Sequence, residues 1–127
     1  LYPGTHASTT PDKPAVILAD TGETTTYRQL DQRSGALARV LHDAGLRPGD
    51  VVAVLSDNAP AVFDVYWAAH RSGLYITAIN HHLTAAEAGY IVTDSGARAL
   101  IVSSALADLA AEIRAHLDGE GLFLAFG

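Results

Sequence analysis

Val51-Val52-Ala53-Val54-Leu55 is an unbroken apolar run between Asp50 and Ser56. A strand covered on one face only would alternate apolar and polar residues, so this run predicts a β-strand buried on both faces. Tyr75–Ile79, Ala99–Val102 and Leu122–Phe126 repeat the pattern further along the chain. Helix signals fill each gap between runs. Asn58 stands as a cap with Pro60 in the first turn, opening a helix that runs to Arg71 and stops at Gly73. Thr84-Ala85-Ala86-Glu87 has capping-box spacing, in which hydroxyl and carboxylate each satisfy a free N–H at the helix start. That helix ends at Ser95-Gly96, and a further one is expected from Ser104 to Leu117. Strand and helix in alternation imply right-handed crossovers. The fold class predicted is α/β: a mostly parallel sheet with βαβ crossovers and helices on both faces.

Upstream the pattern changes. Ala15–Ala19 and Glu23–Thr26 flank Asp20-Thr21-Gly22, a turn with glycine available for positive φ, which predicts a small N-terminal β-hairpin. Thr26 and Gln29 form a second capping box. The helix it opens carries Tyr27, Leu30, Ser34, Leu37, Ala38, Leu41 and Ala44 on one stripe and stops at Gly45. Arg47-Pro48-Gly49-Asp50 then suits a type II turn. Residues 1–14, with Pro3, Pro11 and Pro14, read as a lead-in segment, and 15–127 as one α/β portion.

Composition narrows the function classes. Of 127 residues 49% are apolar and 17% charged, with 14 acids against 8 bases and a net charge of −6, which argues against disorder. Lys13 is the sole lysine, so no basic stripe tracks a phosphate backbone, and nucleic acid is not an expected partner. The absence of cysteine excludes disulfide scaffolds, thiolate zinc sites and cysteine nucleophiles. Between Ser72 and Ala86 no charged residue occurs, yet the stretch is shorter than the ~20 residues of a spanning helix, so no transmembrane segment is expected. There is no methionine, even at position 1, which reads as a fragment of a longer protein.

Chemistry-bearing residues are few. In α/β sheets ligands bind beyond the carboxyl ends of the strands, here at Ser56–Ala59, Asn80–Thr84 and Ser103-Ser104. None of these is a glycine-rich phosphate cradle, and no GxSxG elbow is present. Asn80, His81 and His82 interrupt an apolar stretch and are the candidate pocket-lining residues. Neighbouring side chains on an extended segment point to opposite faces, which argues against chelation, so no metal site is assigned. Tyr66, Trp67 and His70 sit at helical spacing and read first as packing residues. Asp57 and Asp64 fall on a cap and a helix face, with no second carboxylate arranged for acid–base work. No catalytic residue is assigned.

A series of short motifs goes further. Thr26-Tyr27-Arg28-Gln29-Leu30 resembles the T-Y-x-x-L of the adenylate-forming acyl-CoA synthetases. It is followed by Leu37-Ala38, Gly45–Val52, Asn58, Trp67–Gly73, Ile79-Asn80, Thr84, Glu87, Tyr90-Ile91, Asp94–Ala97 and Leu100–Val102. In this order and spacing the chain resembles the N-terminal part of an AMP-forming acyl-CoA synthetase. The wording of Asn80–Thr84 is most similar to fatty-acid-CoA ligases, although the proline that many relatives carry beside that asparagine is absent.

The resemblance implies a cytoplasmic parent enzyme that joins a fatty or other carboxylic acid to ATP, then passes the acyl group to coenzyme A, with Mg2+ screening the triphosphate. The family's phosphate loop, nucleotide contacts and catalytic lysine lie beyond the matched region, so this segment alone is expected to be inactive and to hold no cofactor. Two other readings stand beside it. One is the adenylation domain of a multidomain synthetase, loading a carrier protein. The other is a non-catalytic α/β interaction module presenting Tyr66 and Trp67. The apolar residues Val62, Phe63, Tyr66 and Trp67 and the run Leu122–Phe126 lead to an expectation of self-association.

Overall fold

The structure, a computed structural model, describes residues 2–119 and 121–127. Helix α1 (Pro3–Thr9) leads into a hairpin of β1 (Pro14–Ile17) and β2 (Thr24–Thr26), then α2 (Tyr27–Asp43). There follow β3 (Val51–Leu55), α3 (Val62–Arg71), β4 (Tyr75–Ile79), α4 (Ala85–Asp94) and β5 (Ala99–Ser103). A 3₁₀ turn at Ser104–Leu106 leads to α5 (Ala107–Ala115), and β6 (Leu122–Phe126) follows.

Among the described residues β3 to β6 form one parallel sheet in the order β4-β3-β5-β6. Its centre is β3 and β5, whose residues alternate between two cores. Val52, Val54, Ala99 and Ile101 meet α2 and α3 through Leu41, Val65 and Ala68. Ala53, Leu55, Leu100 and Val102 meet α4 and α5 through Ala88, Val92 and Ile113. Helices therefore cover both faces, as the unbroken apolar runs require. Leu41, Leu55, Ile113, Ala53 and Val52 are wholly buried, and each large aliphatic side chain so buried contributes about 1.5–3 kcal/mol relative to exposure.

Local signals set the element ends. Both capping boxes form: Thr26 Oγ1 accepts from Gln29 N at 3.2 Å, and Thr84 Oγ1 accepts from Glu87 N at 3.2 Å. Their partners reply, Gln29 Oε1 and Glu87 Oε2 each accepting from the cap N–H at 2.9 Å. Gly73 (φ +69°) and Gly96 (φ +69°) end α3 and α4 in the left-handed region that glycine enters without steric cost. Asp50 N donates to Arg47 O at 3.0 Å across the Pro48-Gly49 turn.

Several elements depart from the sequence reading. The lead-in segment contains α1, which is bound to the domain: Pro3 is buried, His6 lies 4.9 Å from the Tyr27 ring, and Arg28 N donates to Pro11 O. The hairpin turn is wider than Asp20-Thr21-Gly22, because Leu18 N pairs with Glu23 O and Gly22 N with Leu18 O, both at 2.8 Å. Asn58 does not cap α3. The N-cap is Ala61, and the chain reaches it through bonds from Val62 N, Phe63 N and Asp64 N to Ala59, Pro60 and Ala61 oxygens. The helix expected from Ser104 to Leu117 divides into the 3₁₀ turn and α5, ending at Ala115.

Candidate functional site

Strand order defines where a ligand site is favoured. After β3 the chain passes to α3 on one face and returns as β4 on one side; after β5 it passes to α5 on the opposite face and returns as β6 on the other side. The two connections diverge between β3 and β5, and that divergence at the carboxyl ends makes the crevice in which open α/β sheets bind ligands. Ser56 and Ser103 stand at its two sides. Ser56 Oγ donates to the Asp57 backbone oxygen at 2.7 Å, Ser103 is buried, and Ser104 Oγ donates to Gly127 O at 3.2 Å.

Beside this crevice, at the ends of β3 and β4, lies a cavity of about 360 Å³. Ile17 and Leu18 of the hairpin form one wall, Val62, Phe63 and Tyr66 of α3 another, and Ala78 and Ile79 a third. Ser56 to Pro60 close its end. Asp57 is among the lining residues, and its Oδ1 is closed off from the open space and makes no hydrogen bond. The sequence reading treated Asp57 as a helix-cap residue and missed this; no local pattern announces it, because the hairpin that covers the loop comes from 40 residues earlier in the chain.

Asn80, His81 and His82 are not walls of that cavity, which extends along β4 only as far as Ile79. Nor is the segment extended. Asn80 Oδ1 accepts from His82 N at 2.9 Å and Leu83 N donates to Asn80 O at 3.2 Å, so Asn80–Leu83 is a turn. Its curvature brings the two imidazole centroids to 4.1 Å, where an extended backbone would separate them. Thr84 and Glu87 are committed to the α4 cap.

Asp64 faces α2, its Oδ2 3.2 Å from Arg33 Nε and its side chain 13% exposed. Burial pushes this carboxyl above its usual range, and the Arg33 guanidinium draws it only part of the way back. Arg33 also donates to Thr25 Oγ1 at 3.1 Å, so the pair joins hairpin, α2 and α3. Tyr66 and Trp67 are part-buried beside the N-terminal segment, with Tyr2 and Pro3 near Trp67 and the exposed His70 ring 5.7 Å from the indole. The expected self-association finds no support here: α1 and Tyr2 lie beside this face, and in β6 only Ala125 is exposed.

Polyphosphate does not suit the three carboxyl-end loops. Ser56–Ala59, Asn80–Thr84 and Ser103-Ser104 contain no lysine or arginine, and Asp57 would repel an anion. Among the described residues no group of three His, Cys, Asp or Glu side chains converges for a metal ion. No described helix is long and apolar enough to cross a membrane.

Residues 4–122 match the family described as AMP-binding enzyme. The chain belongs to the AMP-binding enzyme family. Among curated relatives, the chain is 38% identical over 97 residues to a fatty acid–[acyl-carrier-protein] ligase of Streptomyces coeruleorubidus, covering 76% of this chain and 18% of the relative. It is 35% identical over 118 residues to long-chain fatty acid transport protein 2 of Rattus norvegicus, covering 92% of this chain and 19% of that protein. In solved structures it resembles a Mycobacterium tuberculosis fatty acyl CoA synthetase, with a TM-score of 0.85 and 27% identity over 98% of this chain and 25% of that one. The chain thus spans about a fifth of the length of these curated relatives, and its α/β fold is the one that synthetase shows over the matched part.

Proposed function

We propose that this chain is the N-terminal portion of an ATP-dependent ligase that activates a fatty acid. The observation that carries the reading is the match over residues 4–122, joined to two relatives at 35% identity or more whose names both specify fatty acid. In the reaction, a carboxylate oxygen attacks the α-phosphorus of ATP and pyrophosphate departs with the bonding electrons. The mixed anhydride then meets a thiol, whose sulfur takes the acyl carbon while AMP leaves. Both steps develop negative charge on phosphate oxygens, which Mg2+ and basic side chains offset.

The three carboxyl-end loops described here carry no lysine or arginine, so no step is assigned to them. Their part is to build one wall of the catalytic domain. The buried sheet, the paired capping boxes and the glycine stops give a rigid base on which nucleotide-binding segments of the longer protein are held.

Coenzyme A is the acceptor in the first reading. A carrier-protein thiol is the second, favoured by the relative named as an acyl-carrier-protein ligase. Incubating the longer protein with a labelled fatty acid, Mg-ATP and either coenzyme A or a phosphopantetheinylated carrier protein separates them. Labelled thioester on coenzyme A supports the first, and label on the carrier alone supports the second. Label on neither, with no AMP released, contradicts both.

A further inference from the structure

The objection to His81 and His82 as joint metal ligands is that neighbours on an extended chain point apart. The folded segment removes it. Asn80 Oδ1 accepts from His82 N and Leu83 N donates to Asn80 O, which closes a turn. The imidazole centroids then lie 4.1 Å apart, with 38° between the ring planes. A metal ion sits ~2.0–2.1 Å from an imidazole nitrogen, so two rings at right angles on one ion have centres roughly 4.4 Å apart. The observed separation is close to that value, so rotation of the rings alone can bring one nitrogen of each to a common point. The bond of the turn runs through the His82 backbone N–H, and among the described residues neither imidazole has a protein hydrogen-bond partner. Each neutral ring therefore keeps a nitrogen lone pair free. His81 is part-buried and His82 exposed, which leaves the pair open to solvent.

We propose that His81 and His82 form a two-imidazole chelate for a divalent transition metal, with Cu2+ held most tightly and water completing its shell. Imidazole nitrogen suits Cu2+, Ni2+ and Zn2+, and affinity for such donors reaches its maximum at Cu2+. Mg2+ prefers oxygen donors and is not held. Once one imidazole has bound, the second bond forms intramolecularly, so the pair outcompetes any single histidine. His6, His42, His70 and His116 supply that comparison within the same chain, His6 and His70 lying instead against the Tyr27 and Trp67 rings. Only two positions on the ion are taken by the protein, so it can accept a further oxygen or nitrogen donor. The site lies outside the cavity at the ends of β3 and β4, and it stands whether or not the chain serves a fatty-acid ligase.

Cu2+ titrated into the 127-residue chain tests it, with paramagnetic broadening of backbone NMR signals giving the place and electron paramagnetic resonance the donors. The first equivalent should broaden Asn80–Thr84 before the signals around the other histidines, and its spectrum should carry two imidazole nitrogens. His81→Gln and His82→Gln should each weaken binding at this place at least about tenfold, whereas His42→Gln should not. Zn2+ should bind at the same place more weakly, and Mg2+ should not bind there. Equal affinity in the unaltered chain and in either loop variant would overturn the proposal. So would broadening centred on the amino terminus or on another histidine, or a spectrum with a single imidazole nitrogen.

Discussion

Arg33 Nε on α2 lies 3.2 Å from Asp64 Oδ2 on α3, yet the other oxygen of that carboxylate is buried with no hydrogen bond. The ion pair therefore satisfies half of the group, and burial keeps its pKa above the ordinary 3.8. Folded protein holds this proton more tightly than unfolded chain does. As pH rises from 3.8, the unfolded state releases its proton first, so the folded state binds more protons and stability falls through the folded pKa. Asp64→Asn abolishes that titration. Urea unfolding of both proteins from below pH 3.8 to neutrality should show the unaltered protein losing ground to the variant as pH rises. A constant difference, or one of opposite slope, would contradict the burial argument.

Thr84 and Glu87 form a reciprocal cap at the start of α4, so Thr84→Ala removes one acceptor and leaves Glu87 N without its side-chain partner. The loss should be about 0.5–2 kcal/mol of unfolding free energy. Turnover per folded molecule of the longer protein should stay nearly unchanged. A large fall in turnover at an unchanged unfolding midpoint would show that the Asn80–Thr84 loop touches substrate.

Mg-ATP should give no saturable heat when titrated into the 127-residue chain. The three carboxyl-end loops contain no lysine or arginine, and the nearby Asp57 carries the wrong charge for a polyphosphate. Stoichiometric heat at micromolar affinity would reveal a nucleotide site on these residues.

What could be read from the sequence was what depends on near neighbours. The caps at Thr26 and Thr84 are bonds between residues three apart, and the stops at Gly73 and Gly96 depend on one glycine's φ. Two-sided burial of β3 follows from five consecutive apolar residues. The failures share a different cause. Helix α1 has only seven residues and no side-chain cap; its buried Pro3 and the His6–Tyr27 contact are tertiary features. The Asn80–Leu83 turn depends on which way one amide side chain swings, and that reversed the expected separation of His81 and His82. The pairing of β3 with β5 rather than β4 alone places the crevice, and a two-neighbour strand is not encoded in either segment by itself. Asp57 was hidden for the same reason, since the hairpin residues that line its cavity are distant in sequence.

The central claim is that the longer protein makes an acyl-adenylate from a fatty acid, and isotope exchange between ATP and pyrophosphate reads that step without any acceptor present. With Mg2+, labelled pyrophosphate and a panel of carboxylic acids, label should enter ATP only when acid is added, and fastest with fatty acids. Exchange absent for every acid, in protein whose folding is verified by circular dichroism, would contradict the account.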